Sequence, residues 1–398
     1  MNLRMRTRQN LRCALAVLAV CFVIFAAMCI LSGTSPGAYY YPSYLLQAQA
    51  WLRGDFALEH NYEYLELAVF HGRYYVSFPP VPAIPMLLWT LIWGDDVPGG
   101  LFQKIYAAAA CLAVLSALRR RRNVRPGECV AWAIFIGLGS ALLPITLIGA
   151  VWYEAQILAF LFSVSAIAAM RRNRPILSCL LYALSVGCRP FSVCLGPVLL
   201  MLFLRRNRRR GLQENFFRLA PGLLVGLGVA VCYAAYNYAR FGNIFEFGHN
   251  YLPEFTRAEN GQFSLHYIAD NWHTLFFGSP FTRTAGRVAF YPFGFSMFLS
   301  CPILICNLAW IIEDIIKRRF TWEKLVILAM GVLNVLLLLI HRTLGGFQFG
   351  LRYALELVPL CLAYLLLSPE HSRLTRWEAV IMGFGLAFNF LGGCLIHV

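Results

Sequence analysis

Apolar runs long enough to cross a bilayer recur from one end of this chain to the other, and this restricts the fold more than any other feature. Residues 13–32, 101–118, 219–239 and 379–396 are examples. A hydrocarbon core is crossed by about 20 apolar residues in a helix. Within it, only helices and closed barrels satisfy their own backbone polar groups. Composition agrees: of 398 residues, 59% are hydrophobic and 13% charged, against about 25% charged in a soluble domain. An ordinary soluble enzyme, a disordered regulator and a fibrous protein are excluded. No polar stretch between runs is long enough for a separate soluble domain. The sequence predicts an all-α, polytopic integral membrane protein, one membrane-embedded domain over 1–398. Its eleven expected spans are 13–32, 101–118, 129–151, 155–170, 176–188, 191–204, 219–239, 289–312, 325–340, 353–367 and 379–396. The short apolar stretch 79–94 is read as juxtamembrane or re-entrant.

Charge orients the spans. The net charge of +15 does not gather on one surface, as nucleic-acid binding would require. The bases sit in short clusters between apolar runs, such as Arg119–Arg122 and Arg205–Arg210, the pattern of cytoplasmic loops. No nucleic-acid partner is expected. With the N-terminus inside, the inner segments hold 24 Lys and Arg against 7 acids, and the rest of the chain 10 against 12. External segments are then loop one (33–100), loop two (240–288) and a turn at 341–352. The thirteen cysteines fall in or at the ends of apolar runs, with no CxxC pair. They read as small apolar residues rather than a disulfide framework or a zinc site.

Ionisable groups close to a bilayer need a reason, and here they collect on the expected external face. Loop one carries Asp55, Glu59, Glu63, Glu66 and Arg73. Glu154 lies in the turn WYEAQ, and Arg189 at the tip of a hairpin hinged at Arg189-Pro190. Loop two opens with Arg240, Glu246 and His249, and the last turn offers Arg342, Gln348, Arg352 and Tyr353. A carboxylate can take a proton from an acceptor hydroxyl or amine. Arginine can hold a phosphate by two parallel hydrogen bonds and offset the charge of a leaving phosphate. Glu66 is ranked first as the proton acceptor, because it stands five residues before the phrase His71-Gly72-Arg73-Tyr74-Tyr75, which leads the chain back to the membrane. Glu154, Asp55 and Glu63 follow. For phosphate or substrate, the candidates are Arg352, Tyr353, Arg240, Arg189 and Arg73. His249, His266 and His273 share a loop without a metal-ligand motif. The sequence requires no cofactor and leaves room for a divalent metal.

Three phrases, in this order, carry a resemblance. HGRYYVSFPPVPAIPMLL (71–88) ends loop one, RFGNIFEFG (240–248) opens loop two, and FQFGLRYALELVPLCLAYLL (347–366) starts a late span. Together they resemble the GT-C class of polyprenyl-phosphate-dependent membrane glycosyltransferases, which includes the protein O-mannosyltransferases and the lipid A aminoarabinose transferases. The resemblance implies transfer of a sugar from a polyprenyl-phosphate donor to a glycan, lipid or protein acceptor. It implies an active site on the outer face of a cell-envelope membrane; the charge pattern places the N-terminus in the cytoplasm, and the lack of a nuclear or retention signal favours a bacterial plasma membrane. Arg352-Tyr353 matches the late Arg-Tyr of the class, which implies phosphate contact. The class places its catalytic acid early in loop one, whereas residues 33–54 hold no Asp or Glu and the first acid is Asp55. A transporter or lipid flippase, and a non-catalytic relic or assembly subunit of the same fold, are the alternatives.

Overall fold

The computed structural model of the protein describes residues 3–119, 124–284 and 287–396; Arg120, Arg121 and Arg122 of the first basic cluster lie outside them. A long first helix, α1 (Leu3–Ser32), leads into loop one. That loop holds strand β1 (Tyr39–Tyr41), helix α2 (Ser43–Leu52), the hairpin β2 (Leu67–Phe70) and β3 (Arg73–Val76), and helix α3 (Ala83–Trp93). The chain then runs through α4 (Gly99–Leu118), α5 (Pro126–Leu138), strand β4 (Gly149–Ala150), α6 (Val151–Arg171), α7 (Pro175–Val186), α8 (Leu195–Arg206) and α9 (Leu212–Phe241). Loop two contains α10 (Pro253–Thr256), α11 (Ile268–Phe277), the hairpin β5 (Phe281–Thr284) and β6 (Arg287–Phe290), and α12 (Met297–Ser300). The last helices are α13 (Ile303–Ile316), α14 (Trp322–Ile340), α15 (Val358–Leu367) and α16 (Arg376–Leu395).

Six of these helices, α1, α4, α6, α9, α14 and α16, are long and apolar enough to cross a membrane. The expected spans at 129–151 and 289–312 are not continuous helices. The first stops at Gly139, passes a 3-10 turn at Pro144–Thr146 and ends as β4. The second takes in the end of β6, a proline- and glycine-broken segment and the short helix α12, and the longer helix α13 starts only after Pro302. Proline lacks the N–H that a helix interior needs. Hydropathy averages over such breaks, because the broken segments are as apolar as helices.

Helices α6 and α15 form the centre. Every residue of α15 is buried, and α6 packs against α4, α7, α8 and α15. The peripheral helices turn Leu, Val and Phe outward, as on α1 and α9, which suits lipid rather than water. At the far ends of α13 and α14, buried Asp314 accepts from Lys324 Nζ at 2.7 Å, from the Tyr364 hydroxyl at 2.6 Å and contacts His371 Nε2 at 3.1 Å. Lys324 also reaches Glu370 at 2.8 Å. This cluster ties α13, α14 and α15 to the link before α16.

Loop one is fixed from two sides. β1 pairs in parallel with β4, Tyr39 opposite Gly149. Beside that pairing, buried Lys104 donates to the carbonyls of Pro36, Gly100 and Leu147 at 3.1, 3.2 and 3.0 Å. The β2–β3 hairpin turns through His71 and Gly72, both at positive φ (48° and 73°), as a two-residue turn with two left-handed positions requires. The start of loop one is thereby clamped against the first turn of α6.

Candidate active site

A cavity of about 430 Å³ opens where loop one, the first turn of α6, the α7–α8 link, loop two and the turn after α14 meet. Glu66, just before β2, lines it, as do Trp152 and Ala155 of α6, Arg189 of the α7–α8 link, Glu246, His249 and Glu254 of loop two, His341, and Arg352 with Tyr353. Segments far apart in sequence, each singled out for its ionisable groups, thus converge on one chamber.

Its basic wall is built on Tyr353. The guanidinium of Arg189 lies 4.3 Å from the ring centroid and that of Arg352 4.8 Å. The two arginines are not equivalent. Arg189 Nε donates to Glu356 Oε1 at 2.9 Å, and burial, which works against the Arg189 charge, is more than offset by Glu356, so the guanidinium is held more firmly protonated than usual. Arg352 is 3% exposed, yet no carboxylate among the described residues lies within ion-pairing distance. Its Nη1 donates to Gln348 Oε1 at 3.3 Å, and its Nε has no partner. A buried charge without a counter-charge is costly, and an anion supplied by a ligand removes that cost.

The opposite wall is acidic. Trp152 Nε1 donates to Glu66 Oε2 at 2.9 Å, and the carboxylate is exposed and lines the chamber. Burial, then the charge of Glu66, push the Glu254 carboxyl above its usual range, with Arg342 pulling the other way. Glu246 is tied into its own loop, accepting from Gly248 N at 2.6 Å and Asn250 Nδ2 at 2.7 Å. Between the walls, burial brings His249 and His341 each down to about 4, so both are neutral at physiological pH. His341 Nδ1 is 2.7 Å from the Thr343 carbonyl, to which it donates in the Nδ1–H tautomer. The fixed positive charge of the chamber therefore comes from arginine alone.

The other sequence candidates lie elsewhere. Asp55 and Arg73 pair with each other on an exposed rim, and Asp55 is held below the usual carboxylate range, first by the Ala57 amide and also by Phe56 and Arg73. Glu63 is exposed on an adjoining cleft that shares Glu66, Leu252 and Glu254 with the chamber. Glu154 does not line the chamber. It is fully buried one layer behind, where the Tyr39 hydroxyl donates to its Oε2 at 2.9 Å. Arg240 is buried under the hairpin, donating to the Val76 carbonyl at 2.9 Å and Asn237 Oδ1 at 3.1 Å, and so holds loop two to the end of β3. Sequence reasoning did not select Trp152, Glu254, His341 or Glu356. Glu356 was open to it: an acid one turn after Arg352 in an apolar helix start is the signal that picked out Glu154.

One group among the described residues, Asp314, Glu370 and His371, has its ligand atoms close enough to hold a metal. The ammonium of Lys324 already lies between the two carboxylates, so a cation's place is taken, and the group sits at the other ends of α13 and α14.

No protein-family model matches the chain, and no curated protein sequence matches it. Solved structures do. The apo oligosaccharyltransferase of Archaeoglobus fulgidus superposes with a TM-score of 0.55 at 13% identity, covering 96% of this chain and 56% of that one. ArnT from Cupriavidus metallidurans in the apo state superposes at 0.50 and 15% identity, covering 92% and 61%. The chain thus spans little more than half the length of these proteins. Both share the architecture that the three sequence phrases resemble, and the chain has the GT-C-like fold.

Proposed function

We propose that the protein transfers a sugar from a polyprenyl-phosphate carrier to an acceptor hydroxyl or amine at the external face of the membrane. One observation carries this reading: Arg352, buried and without a counter-charge, opens on the same chamber as the carboxylate of Glu66. Arg352 and Arg189, stacked on Tyr353, hold the phosphate that joins sugar to carrier. The acceptor atom attacks the anomeric carbon, and the bond from that carbon to the phosphate oxygen breaks. The electron pair stays on the phosphate, where the guanidinium of Arg352 offsets the growing charge. Glu66 takes the proton that the acceptor loses. The fold and the late Arg-Tyr phrase support a lipid-linked donor.

The test is purified protein in detergent or nanodiscs, assayed first for binding of a polyprenyl phosphate and then for sugar transfer from the loaded carrier. Binding with turnover is expected. Solute or lipid movement without carrier cleavage would make it a transporter. Binding without turnover under any acceptor would make it a relic of the fold.

A further inference from the structure

Behind the Arg189–Glu356 pair, on the side away from the chamber, lies a second, much smaller cavity of about 10 Å³. Gln156 and Ser163 of α6, Ser192 of the α7–α8 link and Glu356 line it. Its size is that of one water molecule by the same measure. Glu356 uses only Oε1 on Arg189. Its Oε2 is buried with no partner, and so is Gln156 Oε1 on a side chain 1% exposed. Both atoms are acceptors, so neither can satisfy the other. A buried acceptor left unpaired costs about 1–3 kcal/mol, and two of them around one small cavity call for a guest with two donor hydrogens. A metal cation fits less well. It would add positive charge beside two guanidiniums, only one of which is compensated.

We propose that one water molecule occupies this cavity and bridges Glu356 to Gln156, and that Glu356, held in this way, is a positioning residue that fixes Arg189 against Tyr353. The water donates one hydrogen to Glu356 Oε2 and the other to Gln156 Oε1, and the hydroxyls of Ser163 and Ser192 are at hand to donate to its oxygen. Glu356 is then satisfied at both oxygens and cannot turn toward Arg352. The arrangement lets one arginine be neutralised and immobile while its neighbour stays uncompensated and available to an anion. The consequence for carrier binding rests on the proposed function; the water site and the placement of Arg189 do not.

The experiment is a structure of the full chain at a resolution that shows ordered water, for the parent, Glu356→Gln and Gln156→Leu, together with polyprenyl-phosphate affinity and thermal unfolding of each. The parent should show one density within hydrogen-bond distance of Glu356 and Gln156. Gln156→Leu should lose it, and in Glu356→Gln the Arg189 side chain should leave the Tyr353 ring. Partners that orient a binding side chain typically contribute roughly 10- to 100-fold, and each variant should weaken carrier binding by that order well below its unfolding temperature. A purely structural role would lower the unfolding temperature and leave affinity unmoved. A dry cavity, a density with metal-like distances, or a folded Glu356→Gln that keeps Arg189 in place and binds like the parent overturns the inference. Should even the parent fail to bind carrier, the proposed function falls, and the water and the Arg189 placement are still decided by the maps.

Discussion

Arg352 and Glu66 line one chamber and are the two charged groups on which the proposed chemistry depends, and each is open to substitution. Arg352→Ala should abolish transfer chiefly by weakening carrier binding. Losing one partner of a desolvated charge pair costs about 2–5 kcal/mol, or roughly 30- to 4000-fold. Arg352→Lys should rescue poorly, because a point charge does not reproduce the guanidinium fork. Unchanged affinity in the alanine variant would reduce Arg352 to a snorkelling side chain. Among the acids, Glu66→Gln keeps the acceptor for Trp152 and removes the charge, so turnover at saturating carrier should fall by about 10²–10⁴. Asp55→Asn and Glu63→Gln, on exposed groups away from the chamber, should stay within a few-fold of the parent. Full activity in Glu66→Gln would send the search for the base to Glu254, its neighbour on the same acidic wall.

The two histidines add a pH dependence of stability. Their folded-state values of about 4 lie below the unfolded value of about 6.5. Above pH 6.5 they are neutral in both states and cost nothing. As pH falls from 6.5 toward 4, the unfolded chain takes up protons that the native state refuses, and stability drops by up to about 3 kcal/mol for each. Unfolding temperatures in detergent should decline over that window, and His341→Asn should flatten the decline. A profile level from pH 7 to pH 4.5 would show that the imidazoles are not buried as described.

At the scale of elements, the turn between α14 and Arg352 depends on one glycine. Gly345 has φ +111°, and a Cβ there would stand 2.6 Å from the Gln348 side-chain amide. Gln348 is the residue that accepts from Arg352, and it anchors itself by donating to the Leu344 carbonyl at 2.9 Å. Gly345→Ala therefore combines backbone strain of about 1–3 kcal/mol with displacement of Gln348. Carrier affinity should fall by about tenfold or more, and a variant that binds as the parent does would show that Gln348 does not position Arg352. The sequence marks this turn at 341–352 and its Gln348 and Arg352, but not the role of Gly345 or the bond between Gln348 and Arg352. Long apolar helices were legible, because a bilayer demands an unbroken 20 residues. The interruptions at 139–150 and 289–302 were not, because a helix and a broken re-entrant segment can share one composition. The β1–β4 pairing is two residues deep and has no sequence signature. For the site, Arg189 and Arg352 stood out as charges in apolar surroundings, whereas Glu254 was hidden in a loop where acids are common.

At the scale of the whole molecule, the charge split gives a prediction about sidedness. The segment 205–218 is expected inside and 240–288 outside. On intact cells, an impermeant thiol reagent should label a cysteine placed at Asn260 and spare one at Asn207, measured in a background lacking other reactive thiols. The reverse pattern would turn the chamber toward the cytoplasm and remove the external acceptor with it. Both positions belong to loops joined by α9, whose 30 residues span about 45 Å, ample for one crossing.

The parallel pairing of Tyr39 with Gly149 also sets an order of assembly. During synthesis, loop one is made about 110 residues before the strand that receives it, a delay of several seconds at ordinary elongation rates. Until α4, α5 and α6 are in the membrane, β1 lacks its partner strand and α2 rests only on α3 and β3 of its own loop, and a nascent chain arrested before Gly149 should be cut readily in that loop by a protease on the same side. Arg352 comes later still, some 200 residues after β4, so the charged chamber closes only after that residue has been made. On the proposed function, a carrier lipid then meets a finished pocket or none at all.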